Sequence, residues 1–169
     1  FVPVKAIPPH LINAFLSAED SGFYSHFGID PQAMLRAAIT NAKNYGQGRR
    51  PIGASTITQQ VTKNFLLTNE VSVERKIKEA ILSLRMERAF TKDQILELYL
   101  NEIYLGYGSY GVAAAALNYF DKALDQLSLA EVAYLAALPK APSNYHPVRK
   151  VSAATNRRNW VLRQMAGNG

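Results

Sequence analysis

Three times in this sequence a Ser or Thr is followed three residues later by Glu or Gln at the head of an apolar repeat: Thr56 with Gln59, Thr91 with Gln94, and Ser128 with Glu131. In a capping box the hydroxyl accepts from the backbone N–H three residues on, and that residue's side chain accepts in return from the cap's own N–H. A chain that marks its helix starts this often is committed to helices. Two more starts carry proline. Pro8-Pro9 opens an apolar repeat that runs to about Asp20, and Asp30-Pro31 sets a capping acid before a proline for a helix from Pro31 to Asn44, stopped by Gly46. The remaining spans run from Ser55 or Thr56 along the line Ile57, Val61 and Phe65, from Val73 to Phe90, and from Thr91 to about Tyr104. After Gly106, Gly108 and Gly111 come Val112 to Tyr119, Ser128 to Pro139, and about Ala153 to Met165. Strand signals are nearly absent and no internal repeat occurs, so the expected fold is mainly α, one domain, with a small lobe around Arg36 to Pro51.

Composition narrows the chemistry. A chain of 169 residues, 48% hydrophobic, can bury one proper core. It has no cysteine, and its three histidines (His10, His26, His146) show no ligand spacing, which excludes a His/Cys metal cluster. No P-loop or G-x-G-x-x-G stands at a strand–helix junction, so no nucleotide cofactor is expected. No apolar run reaches the roughly 18 residues of a membrane span, and the chain opens on Phe1 as an excised fragment would. The net charge of +6 is local: Arg36 to Lys92 holds eleven Lys or Arg against four Glu, which is +7 and leaves −1 for the rest. The anionic partner of such a region is a phosphate, pyrophosphate, nucleic acid or lipid head group. The Gly46–Gly53 loop, with Arg49 and Arg50, adds a basic segment of the kind that closes over anions.

Two carboxylates stand in costly places. Glu19 continues the helical line Ile12, Phe15 and Leu16 and lies at the C-terminal end of its helix. Burial and the negative end of the helix dipole both disfavour its charge there. It is either a general base with a raised pKa or a carboxylate paired with a Lys or Arg. Glu79 lies on a helix that is apolar on two faces: Ile77, Ala80, Ile81 and Leu84 on one, and Leu82, Met86 and Phe90 on the other. Such a helix is expected to be sandwiched inside the fold. Glu79 shares the second face, with Arg75 and Lys76 one turn before it, and is either an internal ion-pair member or part of a site. Gln60, Lys63 and Asn64 add a polar group on the preceding helix. Paired carboxylates suit glycosidic-bond chemistry, and fixed cations beside them suit a phosphate or pyrophosphate leaving group. Residues alone lead to acid–base chemistry on a sugar or phosphoryl centre.

Four stretches resemble, in order, the motifs of the peptidoglycan glycosyltransferases, family 51 of the glycosyltransferases. They are the run Glu19-Asp20 through His26 and Gly28 to Asp30, the run Gly53 to Asn64, Arg75-Lys76-Ile-Lys-Glu79, and the run Ile95 to Gly106. Lys140-Ala-Pro-Ser143 matches a further short signature, and the wording is closer to the 1A type of class A penicillin-binding protein than to a stand-alone enzyme. Asp121 and His146 depart from the Gly and Asn usual at those positions. The resemblance implies a lysozyme-like fold with a larger head lobe and a smaller, membrane-facing jaw, all of residues 1–169 being the glycosyltransferase domain. A membrane anchor before it and a transpeptidase domain after it are expected.

The implied reaction polymerises lipid II, or a lipid-linked glycan chain, at the periplasmic face of the cytoplasmic membrane. It inverts C1 and releases undecaprenyl pyrophosphate. By the same match Glu19 is the base and Glu79 assists the leaving group, alone or through a divalent cation (Mg2+ or Mn2+); no other cofactor is implied. Lys63, Arg75 and Lys76 match pyrophosphate positions. Asp20, His26, Ser55, Thr56, Gln60, Asn64, Lys140 and Ser143 match residues lining the substrate cleft, where moenomycin also binds in the family. Implied partners are the lipid substrate, the membrane surface and other cell-wall synthesis proteins, not nucleic acid. Two rivals remain: a lysozyme-like hydrolase or lytic transglycosylase, and a non-catalytic basic module that binds anionic lipid.

Overall fold

The computed structural model describes residues 1–49, 51–66, 72–140 and 145–168. These residues form eight α-helices: α1 (Pro9–Glu19), α2 (Pro31–Lys43), α3 (Ile57–Leu66), α4 (Val73–Ala89), α5 (Lys92–Glu102), α6 (Val112–Phe120), α7 (Leu129–Ala137) and α8 (Val151–Asn168). Among the described residues no strand forms, and the sole sheet-like pairing is an isolated bridge between Tyr104 and Tyr110. The expectation of a mainly α fold holds, as do the caps. Thr56 and Gln59 exchange both capping-box bonds, at 2.9 and 3.0 Å. Thr91 with Gln94 and Ser128 with Glu131 do the same, and the Asp30 carboxylate accepts from Ala33 N at 3.0 Å.

The chain divides into two compact units, Phe1–Ser21 with Leu96–Gly169, and Gly22–Ile95. The second unit is thus far larger than the lobe expected around Arg36 to Pro51. Composition shifts mark only the loop after α2, whereas the unit is defined by which helices pack together.

The first unit is built around α7, which is buried from Val132 to Ala137 without a break and packs against α1, α6 and α8. A helix apolar on every side belongs at the centre. Leu11, Ala14 and Phe15 of α1 and Ala154 and Val161 of α8 are buried, and Phe15 meets the ring of Tyr99 edge-on at 6.3 Å. The N-terminal segment is held by side chains of α5: Asn101 Oδ1 accepts from Val2 N, its Nδ2 donates to Val2 O, and Glu97 Oε1 accepts from Val4 N.

The second unit has a different interior. The face of α4 that is buried carries Arg75, Glu79 and Ser83, a polar stripe at i, i+4 and i+8, while Ile77 and Ile81 stand exposed. The expectation of a sandwiched α4 is therefore corrected. Its Leu82–Met86 side, which includes Glu79, turns inward, and its Ile77–Ile81 side does not. Threonines make this workable: Ser83 Oγ donates to Thr62 Oγ1 at 3.2 Å and Thr58 Oγ1 donates to Glu87 Oε1 at 2.7 Å, so α3 answers the stripe with hydroxyls. Phe23, Ile57, Val61 and Ile95 supply buried apolar volume in the same unit.

The two departures from the family wording have local explanations. Asp121 caps the C-terminus of α6 with φ +53° and ψ +44°, the left-handed conformation that glycine adopts without cost and Asp tolerates. His146 Nδ1 accepts from the backbone N–H of Val148 and of Arg149, both at 3.1 Å, which is the acceptor role an Asn side chain plays in such turns. Two positive-φ positions should answer mutation with opposite sign. Gly111 has φ +87° and a Cβ there would overlap the Asn101 carbonyl oxygen, so Gly111→Ala should cost about 3 kcal/mol or more. Asp121→Gly should add about 0.5 kcal/mol. Urea unfolding of both variants reads the two shifts.

Candidate active site

Each unit holds one of the two carboxylates. In the first, Glu19 is the last residue of α1 and Asp20 its C-cap, with Asp20 N bonded to Leu16 O. Glu19 follows the buried Leu11–Phe15 line at i+4 and is itself half-buried, and Asp20 is buried. Tyr99 of α5 is buried beside Phe15, and its hydroxyl has no hydrogen-bond partner among the described residues. Burial, followed by the charges of Glu19 and Asp20, holds that phenol well above its ordinary range. Arg157 of α8 lies over Trp160 at 3.9 Å. Burial pushes its guanidinium down from its ordinary value, while Glu19 and Tyr145 act the other way. Glu19 thus has a buried phenol and a partly buried cation in its field.

In the second unit Glu79 is 1% exposed. Lys76 Nζ donates to its Oε1 at 3.3 Å, and Arg75 Nη2 lies 3.9 Å from Oε2. Lys76 also reaches Ser55 Oγ at 3.4 Å, which joins the second and third motif stretches through one ammonium. Glu79 Oε2 and Arg75 Nε and Nη1 are buried with no hydrogen-bond partner among the described residues. Fixed donors left unsatisfied in this way cost the fold stability, and an anionic ligand is the group that would satisfy the guanidinium. Lys63 and Asn64 are exposed on α3, Gln60 is half-buried, and Thr56 is buried.

Two of the sequence-derived binding positions serve the framework. Thr56 Oγ1 donates to Gly28 O at 2.7 Å while it caps α3. His26 is buried. Its Nδ1 accepts from Gly28 N at 3.0 Å, with Lys92 Nζ at 3.3 Å and Glu87 Oε1 at 4.0 Å. Both residues shape the loop that follows Asp20. Gly28 itself has φ +112°, and a Cβ on it would sit 2.8 Å from Ser83 O, so that loop lies against the backbone of α4. Lys140 ends the 3-10 turn Leu138–Lys140. Ser143 and Arg50 lie outside the described residues.

A divalent cation does not fit what surrounds Glu79. The carboxylate already lies between Lys76 and Arg75, and among the described residues no three His, Asp or Glu side chains converge to hold an ion. Oxygen-rich coordination is what Mg2+ and Mn2+ need, so no step is assigned to a metal.

Tyr99 and Arg157 were not singled out by sequence reasoning. Tyr99 falls in the apolar line Ile95, Leu96, Tyr99, Leu100 of α5 and reads as core. Arg157 carried a usable signal: with Ala154 and Val161 it makes an i, i+3, i+7 line, which puts a cation on the apolar face of α8.

The transglycosylase family model matches residues 1–166. Penicillin-binding protein 1A of Rickettsia felis is 57% identical over 169 residues, covering 100% of this chain and 21% of that protein. Its counterpart in Escherichia coli K12 is 51% identical over 168 residues, covering 99% of this chain and 19% of that protein. The crystal structure of penicillin-binding protein 1A from Haemophilus influenzae superimposes with a TM-score of 0.53 and 31% identity, covering 97% of this chain and 14% of that one. The chain therefore spans about a fifth of the length of the curated relatives it matches.

The Arg75–Glu79 pair generates a stability test. Arg75→Met or Glu79→Leu alone strands a buried charge and should cost about 3 kcal/mol, whereas the double variant should recover most of that loss. Denaturant titration of the four proteins measures the coupling.

Proposed function

This chain belongs to the transglycosylase family, and on that premise we propose that it polymerises lipid II into β-1,4-linked glycan strands of peptidoglycan. Glu19 takes the proton from the 4-hydroxyl of the acceptor GlcNAc as that oxygen attacks C1 of the donor glycan. The bond from C1 to the pyrophosphate oxygen breaks, C1 inverts from α to β, and undecaprenyl pyrophosphate leaves. The acceptor hydroxyl is a very weak acid, so its proton must move during attack, and a positioned carboxylate supplies that transfer.

The leaving group carries its charge away without needing a proton, which is why cations rather than a second acid suit its side of the reaction. Arg75, Lys76 and Lys63 receive the pyrophosphate. Glu79 holds Arg75 and Lys76 in place and offsets their mutual repulsion before substrate arrives. The observation that supports this reading most is the Arg75 guanidinium, fixed against Glu79 with two donor atoms buried and unsatisfied among the described residues. A hydrolase acting on finished glycan expels a sugar alkoxide that must be protonated, and would have no use for that arrangement. Asp20, Ser55, Gln60, Asn64, Lys140 and Ser143 contact the substrate, and Thr56 and His26 shape the loop beside it.

The lipid-linked substrate places the work at the outer face of the bacterial cytoplasmic membrane, alongside other proteins of cell-wall synthesis. Among the described residues no helix is long and apolar enough to cross a membrane. A surface contact is better supported: α2 exposes Met34, Leu35 and Ile39 on one side, with Arg36 and Lys43 exposed on the same helix.

Incubation with lipid II tests the reaction. Wild type should extend glycan chains, and Glu19→Gln should lose at least about 100-fold in rate; degradation of finished glycan by wild type would favour the hydrolase. For the membrane contact, Met34→Ser with Leu35→Ser should weaken binding to anionic liposomes several-fold in a flotation assay, and unchanged binding would remove α2 from the contact.

A further inference from the structure

Arg157 and Arg158 are half-buried cations that flank the buried line of α8, and Arg157 is the one stacked on Trp160. Ala154 and Val161 on either side of it are buried, and α8 packs against both α1 and α7. In α1, Leu11, Phe15 and Glu19 form one line at i, i+4 and i+8, of which the first two are fully buried. The buried faces of these two packed helices therefore end, on one side, in a carboxylate and, on the other, carry a guanidinium. The guanidinium plane lies over the Trp160 ring at 3.9 Å, which fixes its direction, and its Nε is buried without a hydrogen-bond partner among the described residues. We propose that Arg157 is the positioning residue of Glu19, a stacked cation that holds the carboxylate oriented and in its anionic, proton-accepting form.

The inference rests on the base role given to Glu19 above and supplies what that role lacks. A carboxylate at the C-terminus of a helix faces the negative end of the dipole and loses part of its hydration, and both effects favour the neutral acid, which cannot accept a proton. A guanidinium in its field counteracts both. The electrostatics agree: burial depresses the Arg157 value while Glu19, the largest opposing influence, sustains its charge. Of the other groups named in that field, Asp20 carries like charge, and the buried Tyr99 phenol, held above its ordinary range, stays neutral. From α7 the buried residues are apolar apart from Tyr134, whose hydroxyl donates to Tyr145 O at 2.6 Å. Tyr145 acts on Arg157, and the neighbouring Arg158 is turned to Asn159 Oδ1, at 2.9 Å from Nη2. The proposed reaction assigns the leaving group to Arg75, Lys76 and Lys63, so the effect of Arg157 should be confined to the base.

Removing a cation near Glu19 makes the carboxylate harder to ionise, so the acid limb of the pH–rate profile moves to higher pH. In Arg157→Gln the limb of kcat/KM for chain growth should move up by about one pH unit, with the loss about tenfold greater below the limb than on the plateau. Arg157→Lys, which keeps the charge, should leave the limb in place even if the rate falls. A rate that drops equally at all pH values in Arg157→Gln, or a limb that moves as far in Arg157→Lys, would show that Arg157 only packs on Trp160 and would overturn the proposal. A readout independent of turnover uses 13C-labelled glutamate in the substrate-free protein, with the Glu19 signal assigned by its absence in Glu19→Gln. Its titration midpoint should rise in Arg157→Gln and stay in Arg157→Lys; an unmoved midpoint in both overturns the proposal. Wild type that makes no glycan would instead count against the glycosyl transfer, and the titration would still decide the Arg157–Glu19 coupling.

Discussion

The buried stripe Arg75, Glu79 and Ser83 is the constraint on which the second unit depends. A helix that turns polar groups inward must find them partners: Lys76 donates to Glu79, Ser83 reaches Glu79 O and Thr62 of α3, and Thr58 of α3 donates to Glu87 one turn on. The same rotation of α4 leaves Ile77 and Ile81 exposed and brings Lys76 within reach of Ser55. A polar interior is less stabilising than an apolar one, since each buried group exchanges water for a protein partner at little net gain. The compensation is placement. Two cations are held beside one carboxylate on a regular helix, where their spacing is set by helical geometry and not by a loop.

The helices were legible because their ends are chemical statements. Capping boxes, a capping acid before proline and glycine stops act over three or four residues, and each was found where the sequence put it. The orientation of α4 was not legible. Hydropathy cannot choose between two apolar faces when the buried one also carries Arg75 and Glu79, because a charged residue scores as surface until its partner is known. The extent of the second unit was missed for a related reason, since packing between distant segments leaves no local mark. Of the site, Glu19 and Glu79 could be picked out as carboxylates in costly positions. The neighbours that offset Glu79, Arg75 and Lys76, are one turn away and legible in the sequence, whereas Arg157 on α8, which stands in the field of Glu19, comes from a remote part of the chain.

The two carboxylates have contrasting surroundings. Glu79 has two cations at 3.3 and 3.9 Å and is almost fully buried, which suits a fixed counter-charge. Glu19 is half-buried at a helix end with the Tyr99 phenol and the Arg157 guanidinium in its field, which suits a group that must gain and lose a proton. Environment, more than residue type, separates their roles.

The contact between Gly28 and Ser83 has a mechanical meaning. The carbonyl of Ser83 lies where a side chain on Gly28 would stand, and Thr56 and His26 clasp the same short loop from either side. Backbone against backbone leaves no rotamer to absorb a displacement. The loop after the first carboxylate motif and the helix that bears Glu79 are thus packed backbone to backbone. A displacement of α4 therefore presses directly on the backbone of the loop from His26 to Asp30.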